Sequence, residues 1–230
     1  MNEIPLTEPL RQTLFQIPFF DGAPEYLRAS LTERLDARLY ALEKNDVIAR
    51  QGSACRLLYI LLAGRVRVDM IDAWGNRVMI EMIVAPRSFA TPHLFSGDNM
   101  LPATFTATMP GVLLTAPRES VFRLISEEPY LLKNFLHVSG NCNHCTSVRL
   151  RILTQRTVRN RFVVYLLERR PGADGWVTVE HNTSQLAHYL CVTRPALSKE
   201  ISKMVREGLI AVEGRRYRLL AEAQLRQEMG

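Results

Sequence analysis

The sequence predicts an α+β chain in which an antiparallel β-roll comes first, a long helix follows, and a small helical unit with a β-hairpin ends the chain. Three observations support this fold class. Short β-rich runs separated by turn residues fill residues 41–117, a seven-residue apolar repeat runs through 129–155, and two short helical patterns precede a hairpin signal. We therefore expect three parts, at 1–128, 129–155 and 156–230.

The first part begins with helical spacing of apolar residues over 6–40, interrupted by Pro18, Gly22 and Pro24, which predicts short helices. Strand-like runs follow at 47–49, 57–62, 66–70, 78–83 and 112–115, with turn residues at 52–53, 63–65, 74–76 and 97–99. Many short strands at fairly regular spacing predict a cupin-like, double-stranded antiparallel roll. Such a roll can enclose a small ligand.

The long helix carries two apolar stripes. One is a coiled-coil seam with a polar middle, formed by Leu132, Leu136, Ser139, Asn143, Thr146, Leu150 and Leu153. The other is apolar except at Arg149 and contains Leu131, Phe135, Val138, Cys142, Cys145 and Ile152. One stripe can face a second copy while the other faces the chain's own roll, so we expect a homodimer. The sequence does not decide which stripe does which.

Residues 183–201 predict two short helices joined by a tight turn. In the first, Leu186, Ala187 and Leu190 share one face, and the Thr183 hydroxyl is predicted to cap the first amides. Cys191 and Val192 form the predicted turn.

The second helix is predicted to start at a Thr193 cap, with Pro195 in its first turn, where no backbone donor is lost. Its apolar side consists of Leu197, Ile201, Met204 and Val205, and its opposite side is short, polar and basic. A helix of this kind fits the major groove of DNA, and an ordinary helical hairpin is the alternative.

After this helix, Gly208 is predicted to end it in a left-handed conformation, and two apolar runs around 213–215 predict a hairpin. The unit therefore has the pattern of a winged helix-turn-helix. We expect Arg215, Arg216 and Arg218 to lie on or beside the wing, where they contact phosphates or form a solvated edge. The predicted DNA-binding residues are Thr183, Ser184, Gln185, Thr193, Arg194, Pro195, Ser198, Lys199, Ser202, Arg215 and Arg216.

The charge distribution favours DNA as the partner. Residues 1–148 contain 14 basic and 15 acidic residues, whereas residues 149–230 contain 15 basic and 8 acidic residues. The excess positive charge thus lies where the helix-turn-helix lies, as expected for a surface that displaces counterions from phosphates. No apolar run approaches a membrane span, the first residues lack the pattern of a secretory signal, and four cysteines are too few for a disulfide scaffold. These features predict a cytoplasmic protein.

The segment 50–68 has a glycine at Gly52, then Leu58-Tyr59-Ile60, then Gly64 followed by Val66 and Val68. Together with the long helix and the winged helix, this order resembles the Crp/Fnr family of bacterial transcription regulators, over about residues 15–222. The resemblance implies a homodimer that reads palindromic operators and acts with RNA polymerase. It places Arg194, Pro195, Ser198 and Lys199 towards the bases, although many members have Glu where Pro195 stands and Arg where Lys199 stands.

The expected ligand pocket departs further from the family. Ala90-Thr91 stands where cyclic-AMP-binding members have Gly-Glu, and Leu101-Pro102 stands where they have Arg-Ser. A buried phosphate without an arginine would lack its charge partner. The sequence therefore predicts a member that does not bind cyclic AMP. The candidate effector residues are Phe89, Thr91, His93, Phe95, Met100, Thr146 and Ser147.

Three kinds of signal stay open. Cys142 and Cys145 lie one helical turn apart, with His137 and His144 nearby, and could bind a metal or report redox state; small buried apolar cysteines are the alternative. Haem is a second option, with His93, His137 or His144 as axial ligand. The third is a small organic molecule inside the apolar roll.

Of three classes of function, the sequence favours an effector-responsive transcription regulator. In this class a signal shifts the long helices and hence the two recognition helices. The alternative is a constitutive DNA-binding protein whose roll is only a dimerisation scaffold. An enzyme is not expected, because the strands lack a His-x-His pair with downstream Glu and His, and the chain lacks a Gly-x-Ser-x-Gly motif.

Overall fold

The computed structural model describes residues 2–179 and 181–229, except for the side chains of Cys145, Glu228 and Met229. The chain divides into two compact units, Met1–His144 and Cys145–Gly230. The boundary lies inside a long helix, and each unit is described by itself below.

The first unit contains most of the strands. In chain order its elements are β1 (Asn2–Ile4), α1 (Glu8–Leu14), a 3-10 helix (Pro18–Phe20), α2 (Glu25–Arg34), β2 (Arg38–Leu42), β3 (Val47–Ala49), β4 (Leu57–Ala63), β5 (Arg65–Ile71), β6 (Arg77–Val84), β7 (Arg87–Phe89), α3 (Thr91–Leu94), β8 (Thr104–Ala107), β9 (Gly111–Pro117), α4 (Arg118–Glu127) and most of α5 (Pro129–Leu153). The predicted α+β class and the predicted short N-terminal helices are confirmed.

Two antiparallel sheets form the roll. One has the strand order β1-β2-β9-β4-β7 and the other β3-β8-β5-β6. Their inner faces and the N-terminal helices enclose one apolar core, in which Phe19, Phe20, Ile60, Val66 and Leu114 are fully buried. The predicted strand runs correspond to β3, β4, β5, β6 and β9.

At one corner of the roll, the chain passes from β4 in one sheet to β5 in the other at Gly64. Gly64 has φ +97°, and a Cβ added to it would lie 2.9 Å from the Cα of Gly111. A Cβ on Gly111 would in turn lie 2.4 Å from the carbonyl oxygen of Ala63. Only glycine fits at either position, because the obstructing atoms are backbone.

Helix α5 separates its two stripes clearly. Leu131 and Phe135 are buried in the core of the first unit and Ile152 in the core of the second, so this stripe packs within the chain. The predicted seam faces outward, with Leu132, Leu136 and Leu150 exposed by 39%, 61% and 64%. The stripe with Leu131, Phe135 and Ile152 is therefore the one that packs against the chain's own cores. No described helix of the chain is long and apolar enough to cross a membrane.

The second unit contains the end of α5, followed by α6 (Val158–Leu167), β10 (Val177–Thr178), α7 (Thr183–Tyr189), α8 (Arg194–Arg206), β11 (Ile210–Glu213), β12 (Arg216–Leu219) and α9 (Glu222–Met229). Strands β10, β12 and β11 form a small antiparallel sheet in that order. Its core contains the apolar faces of α6, α7 and α8. This is the predicted winged helix-turn-helix.

Candidate nucleic-acid interface

The first helix of the pair, α7, is capped by Asn182 rather than by Thr183, which the sequence predicted as the cap. The Asn182 side chain accepts the amide of Gln185 at 2.9 Å, and the Gln185 side chain accepts the amide of Asn182 at 2.9 Å. This reciprocal capping box satisfies two amides that the helix start leaves unpaired. The predicted cap was therefore wrong by one residue, because both residue types can cap a helix and only Asn182 has the extended backbone of a cap.

The second helix, α8, begins as the sequence predicts. The Thr193 hydroxyl accepts the amide of Ala196 at 3.3 Å, and Pro195 occupies the first turn. These features fix the start of the helix that carries the candidate base-reading side chains.

The turn between α7 and α8 requires an unusual backbone. Cys191 has φ +52°, a left-handed conformation that a side chain disfavours. The amide of Val192 bonds the carbonyl of Ala187 at 3.0 Å and that of Cys191 bonds His188 at 3.1 Å, which closes the helix end. Arg161 of α6 adds bonds from its guanidinium to the carbonyls of Leu190 (3.1 Å) and Cys191 (3.2 Å).

The apolar sides of both helices hold them against α6 and the wing. Leu186, Leu190, Leu197 and Met204 are each at most 1% exposed. The predicted apolar side of α8 is wrong at one position, since Val205 is 43% exposed. Val205 follows Met204 by one residue, so it lies about 100° further around the helix, towards solvent.

An ion-pair cluster ties α8 to α6. Arg159 donates to the carboxylates of Glu200 (2.7 Å) and Glu207 (2.6 Å), and its side chain is 18% exposed. The hydrogen bond to Glu200 raises the pKa of the Arg159 guanidinium. Because both carboxylates lie on α8 or directly after it, the cluster fixes the rotation of this helix and hence the face that it presents.

The face of α8 that turns away from the core is polar and exposed. It presents the predicted residues Arg194, Pro195, Ser198, Lys199 and Ser202 together. Sequence reasoning missed Arg206, which is exposed one turn beyond Ser202. Continuing the four-residue step from Ser198 through Ser202 would have found it.

The predicted residues at the start of α7 differ in exposure. Ser184 is exposed, whereas Thr183 and Gln185 are half-buried. The carboxamide oxygen of Gln185 is engaged in the capping box, so its NH₂ group is what it can offer to another molecule.

The wing separates its arginines into two environments. Arg215 and Arg218 are exposed. Arg216 instead forms an ion pair with Asp174 and another with Glu213 at 3.6 Å, and its guanidinium lies 5.2 Å from the centre of the Trp176 ring. The hydrogen bond from the Trp176 amide, together with Arg216, lowers the pKa of Asp174. No sequence pattern indicates this arrangement, because Asp174 and Arg216 are distant in the chain.

The two aromatic candidates for effector binding in the first unit, Phe89 and Phe95, belong to separate groups of packed rings. Phe89 is buried and stacks between Tyr59 and Phe105, with ring centres 5.4 and 5.2 Å apart. Phe95 contacts the ring edges of Phe122 and Phe135 at 5.9 and 5.3 Å.

The other candidates of that unit also differ in their surroundings. Thr91 is buried, Met100 is 43% exposed, and burial lowers the pKa of the half-buried His93. Thr146 and Ser147 belong to the second unit, where both are exposed.

The described candidates for a metal or redox site on α5 differ in exposure. Cys142 is half-buried, while His137 and His144 are exposed, and His137 pairs with Asn141 at 3.1 Å. The side chain of Cys145 lies outside the described residues. Among described side chains, no group of three or more His, Cys, Asp or Glu could hold a metal ion. In the roll, burial raises the pKa of the Cys55 thiol to about 11, so this cysteine stays protonated at neutral pH.

Two family models match the chain in the order of its two units. The cyclic nucleotide-binding domain matches residues 40–128, and the Crp-like helix-turn-helix domain matches residues 160–228. Together they cover more than half of the chain. The chain belongs to the Crp/Fnr family of transcription regulators. As a member of the Crp/Fnr family it binds DNA through its helix-turn-helix and is a regulator rather than an enzyme.

Solved structures of Crp/Fnr regulators share this fold. A CooA mutant from Carboxydothermus hydrogenoformans has a TM-score of 0.65 at 16% identity, covering 93% of this chain and 100% of that one. FixK2 from Bradyrhizobium japonicum gives 0.59 at 16% identity, covering 83% and 96%. The catabolite activator protein of Thermus thermophilus gives 0.52 at 19% identity, covering 91% and 97%. At these identities the likeness is one of fold.

Curated sequences add a short local match of another kind. One component of the ion-translocating oxidoreductase complex of Yersinia pestis and Yersinia pseudotuberculosis is 44% identical over 55 residues. The match covers 23% of this chain and 16% of that component. The chain thus corresponds to a small fraction of those proteins, and their activity is not carried over to it.

Proposed function

We propose that this protein is a homodimeric, sequence-specific regulator that reads palindromic operators in the cytoplasm and responds to a signal received by its roll and long helix. The observation that carries the proposal is the exposed polar face of α8, held in place by the Thr193 cap, the Arg159 ion pairs and the burial of Leu197 and Met204 on the opposite face.

In this proposal α8 enters the major groove. Arg194 and Lys199 donate hydrogen bonds to base edges, while Ser198, Ser202 and the ring of Pro195 provide smaller polar and apolar contacts. Thr183, Ser184, Gln185 and Thr193 lie at or beside the two helix starts, where hydroxyl and amide groups can bond phosphates. Arg215 contacts the backbone from the wing, and Arg216 does so only if it exchanges Asp174 for a phosphate.

The test of DNA reading is a binding titration against operator sequences selected from a random pool. Changing Lys199→Ala should weaken binding to the preferred operator by about 1–3 kcal/mol and relax the preference at one position of each half-site. The matched control is Lys44→Ala, which removes the same charge from an exposed turn of the roll. Equal weakening on all sequences would mean that Lys199 touches phosphates only.

The exposed seam of α5 supports the dimer. Leu132, Leu136 and Leu150 repeat on the outward stripe, and a second copy would cover them by coiled-coil packing. A two-fold dimer implies half-sites separated by about one turn of DNA.

The dimer is tested by sedimentation of variants in the seam. Leu136→Glu should convert the protein to a monomer at micromolar concentration, because dimerisation would bury the new carboxylate against the seam of the second protomer. Leu220→Glu is the control, since Leu220 is also an exposed leucine (54%) but lies outside α5. A Leu136→Glu protein that sediments as a dimer would refute the seam.

The nature of the signal is tested spectroscopically and by binding. Protein purified without oxygen is examined for a Soret band with and without haemin and for an iron–sulfur band. Operator affinity is then compared in dithiothreitol and in hydrogen peroxide. A regulator changes affinity with one of these treatments or with an organic effector, whereas a constitutive DNA-binding protein keeps the same affinity throughout.

A further inference from the structure

Arg149 is the one charged residue in the inward stripe of α5, and it is only 6% exposed. Burying a guanidinium costs free energy unless hydrogen bonds and packing compensate for the lost water. An apolar residue, such as those at the other positions of the stripe, would pack there without that cost. A specific set of contacts must therefore account for the arginine.

Three contacts of Arg149 lie at the end of α7. Its guanidinium donates a hydrogen bond to the carbonyl oxygen of Tyr189, lies 4.1 Å from the centre of the Tyr189 ring, and places one nitrogen 3.8 Å from the sulfur of Cys191. Tyr189 is the last residue of α7, where carbonyl groups lack a partner within the helix. A cation at this end also interacts favourably with the helix dipole.

Arg161 contacts the same turn from another direction. It binds the carbonyls of Leu190 and Cys191, so three consecutive carbonyls at this turn are each bound by an arginine. Arg161 belongs to α6, which is part of the helix-turn-helix fold, whereas Arg149 belongs to the long helix. The turn that precedes α8 is thus attached to α5 through Arg149.

We propose that Arg149 is a positioning residue for DNA reading: it fixes the turn between α7 and α8 to the last turns of the long helix, so that a shift of this helix moves the recognition helix. The proposal deepens the proposed function and rests on it. Being buried, Arg149 does not itself contact DNA. Its effect falls on the geometry of base reading and leaves the phosphate contacts unchanged.

The test compares Arg149→Ala and Arg149→Lys with Arg156→Ala, in the full-length protein. Arg156 is exposed and lies three residues after the end of the long helix, so its removal controls for the loss of one positive charge. Four quantities are measured: affinity for the selected operator, affinity for unrelated DNA, the salt dependence of that second affinity, and hydrogen exchange of the backbone amides of residues 190–194.

For Arg149→Ala we expect operator affinity to fall about tenfold or more, because a buried hydrogen bond from a charged group is lost. Affinity for unrelated DNA and its salt dependence should stay unchanged, and the amides of the turn should exchange faster. Arg149→Lys keeps the charge but not the planar fork, and should lie between wild type and Arg149→Ala. Arg156→Ala should behave as wild type.

Wild-type exchange at the turn in Arg149→Ala, or an equal loss on operator and unrelated DNA, would overturn the proposal. If Arg149→Ala does not fold, Arg149→Lys decides: faster exchange with weaker operator binding supports the proposal, and wild-type behaviour overturns it. A wild-type protein without any sequence preference would instead refute the proposed function, and hydrogen exchange would still report whether Arg149 holds the turn.

Discussion

Helices α7 and α8 end in the same hydrogen-bonded motif but use different residues for it. In α7 the left-handed position is Cys191, with φ +52°, and in α8 it is Gly208, with φ +71°. The closing bonds match, since Leu209 bonds Met204 at 3.0 Å and Gly208 bonds Val205 at 3.1 Å in α8, as Val192 and Cys191 bond Ala187 and His188 in α7. The end of α8 is favoured by its own glycine.

The end of α7 must hold a side chain in a conformation that costs about 1–2 kcal/mol. The contacts from Arg149 and Arg161 offset this cost. The junction between α7 and α8 therefore depends on contacts from neighbouring helices, whereas the junction between α8 and the wing depends on its own glycine. A junction held by other helices can respond to them.

The largest effect is expected for Arg161→Ala. This change removes the hydrogen bonds to the carbonyls of Leu190 and Cys191 and a third, at 2.9 Å, to Gln155. Bonds from a charged group to partly buried carbonyls predict a loss of about 2–3 kcal/mol in the free energy of unfolding, measured by urea denaturation. Arg156→Ala, at an exposed arginine, should change it by less than about 0.5 kcal/mol. Equal effects of the two changes would show that the turn does not need Arg161.

An intermediate effect is expected for Gly208→Ala. A Cβ at Gly208 meets no atom within 4 Å, so any destabilisation arises from the left-handed backbone alone. We expect a loss of about 1–2 kcal/mol in urea denaturation. Gly140→Ala is the matched control, because Gly140 also has open space around it but lies within α5, where alanine should stabilise by up to about 1 kcal/mol. A neutral Gly208→Ala would remove the contrast between the two helix ends.

The smallest effect is expected for Cys191→Gly. Glycine relieves the strain at φ +52° but gains entropy in the unfolded chain, so the net stabilisation should be at most about 0.5–1 kcal/mol. Cys191→Ala keeps the Cβ and removes only the sulfur next to Arg149, and thereby separates the two contributions. If thermal unfolding shows both variants to be equally destabilised, the contact of the sulfur outweighs the strain of the backbone.

The sequence predicted the elements whose patterns are long or locally capped. The strands β4, β5 and β6 were found because each has seven or eight residues rich in β-branched or apolar side chains. Strands β1 and β7 were missed because Asn2-Glu3-Ile4 and Arg87-Ser88-Phe89 each contain one apolar residue, whereas the equally short β3 was found through its apolar run Val47-Ile48-Ala49. Strand β2 was placed among the N-terminal helices, because its partner β9 lies some 70 residues away and such pairing leaves no local signal.

In the candidate interface, the start of α8 and the exposed positions of its face followed from Thr193, Pro195 and the helical period. The contacts that hold this face could not be predicted, since Arg159, Arg161 and Arg149 act on residues 29 to 48 positions away. The sequence did identify Arg149 as a charged residue in an apolar stripe. Its proposed role could be inferred only once the structure showed its contacts with Tyr189.

Gly64 and Gly111, which face each other at the corner of the roll, limit which substitutions the protein can accept during evolution. Gly64 and Gly111 each exclude a Cβ through backbone atoms of the opposite segment, so neither position can vary first and let the other follow. In a library of roll variants, we expect both positions to remain glycine while the aromatic residues around Phe89 are exchanged. The interior of the roll can then change by substitution of its side chains, while the backbone at this corner stays the same.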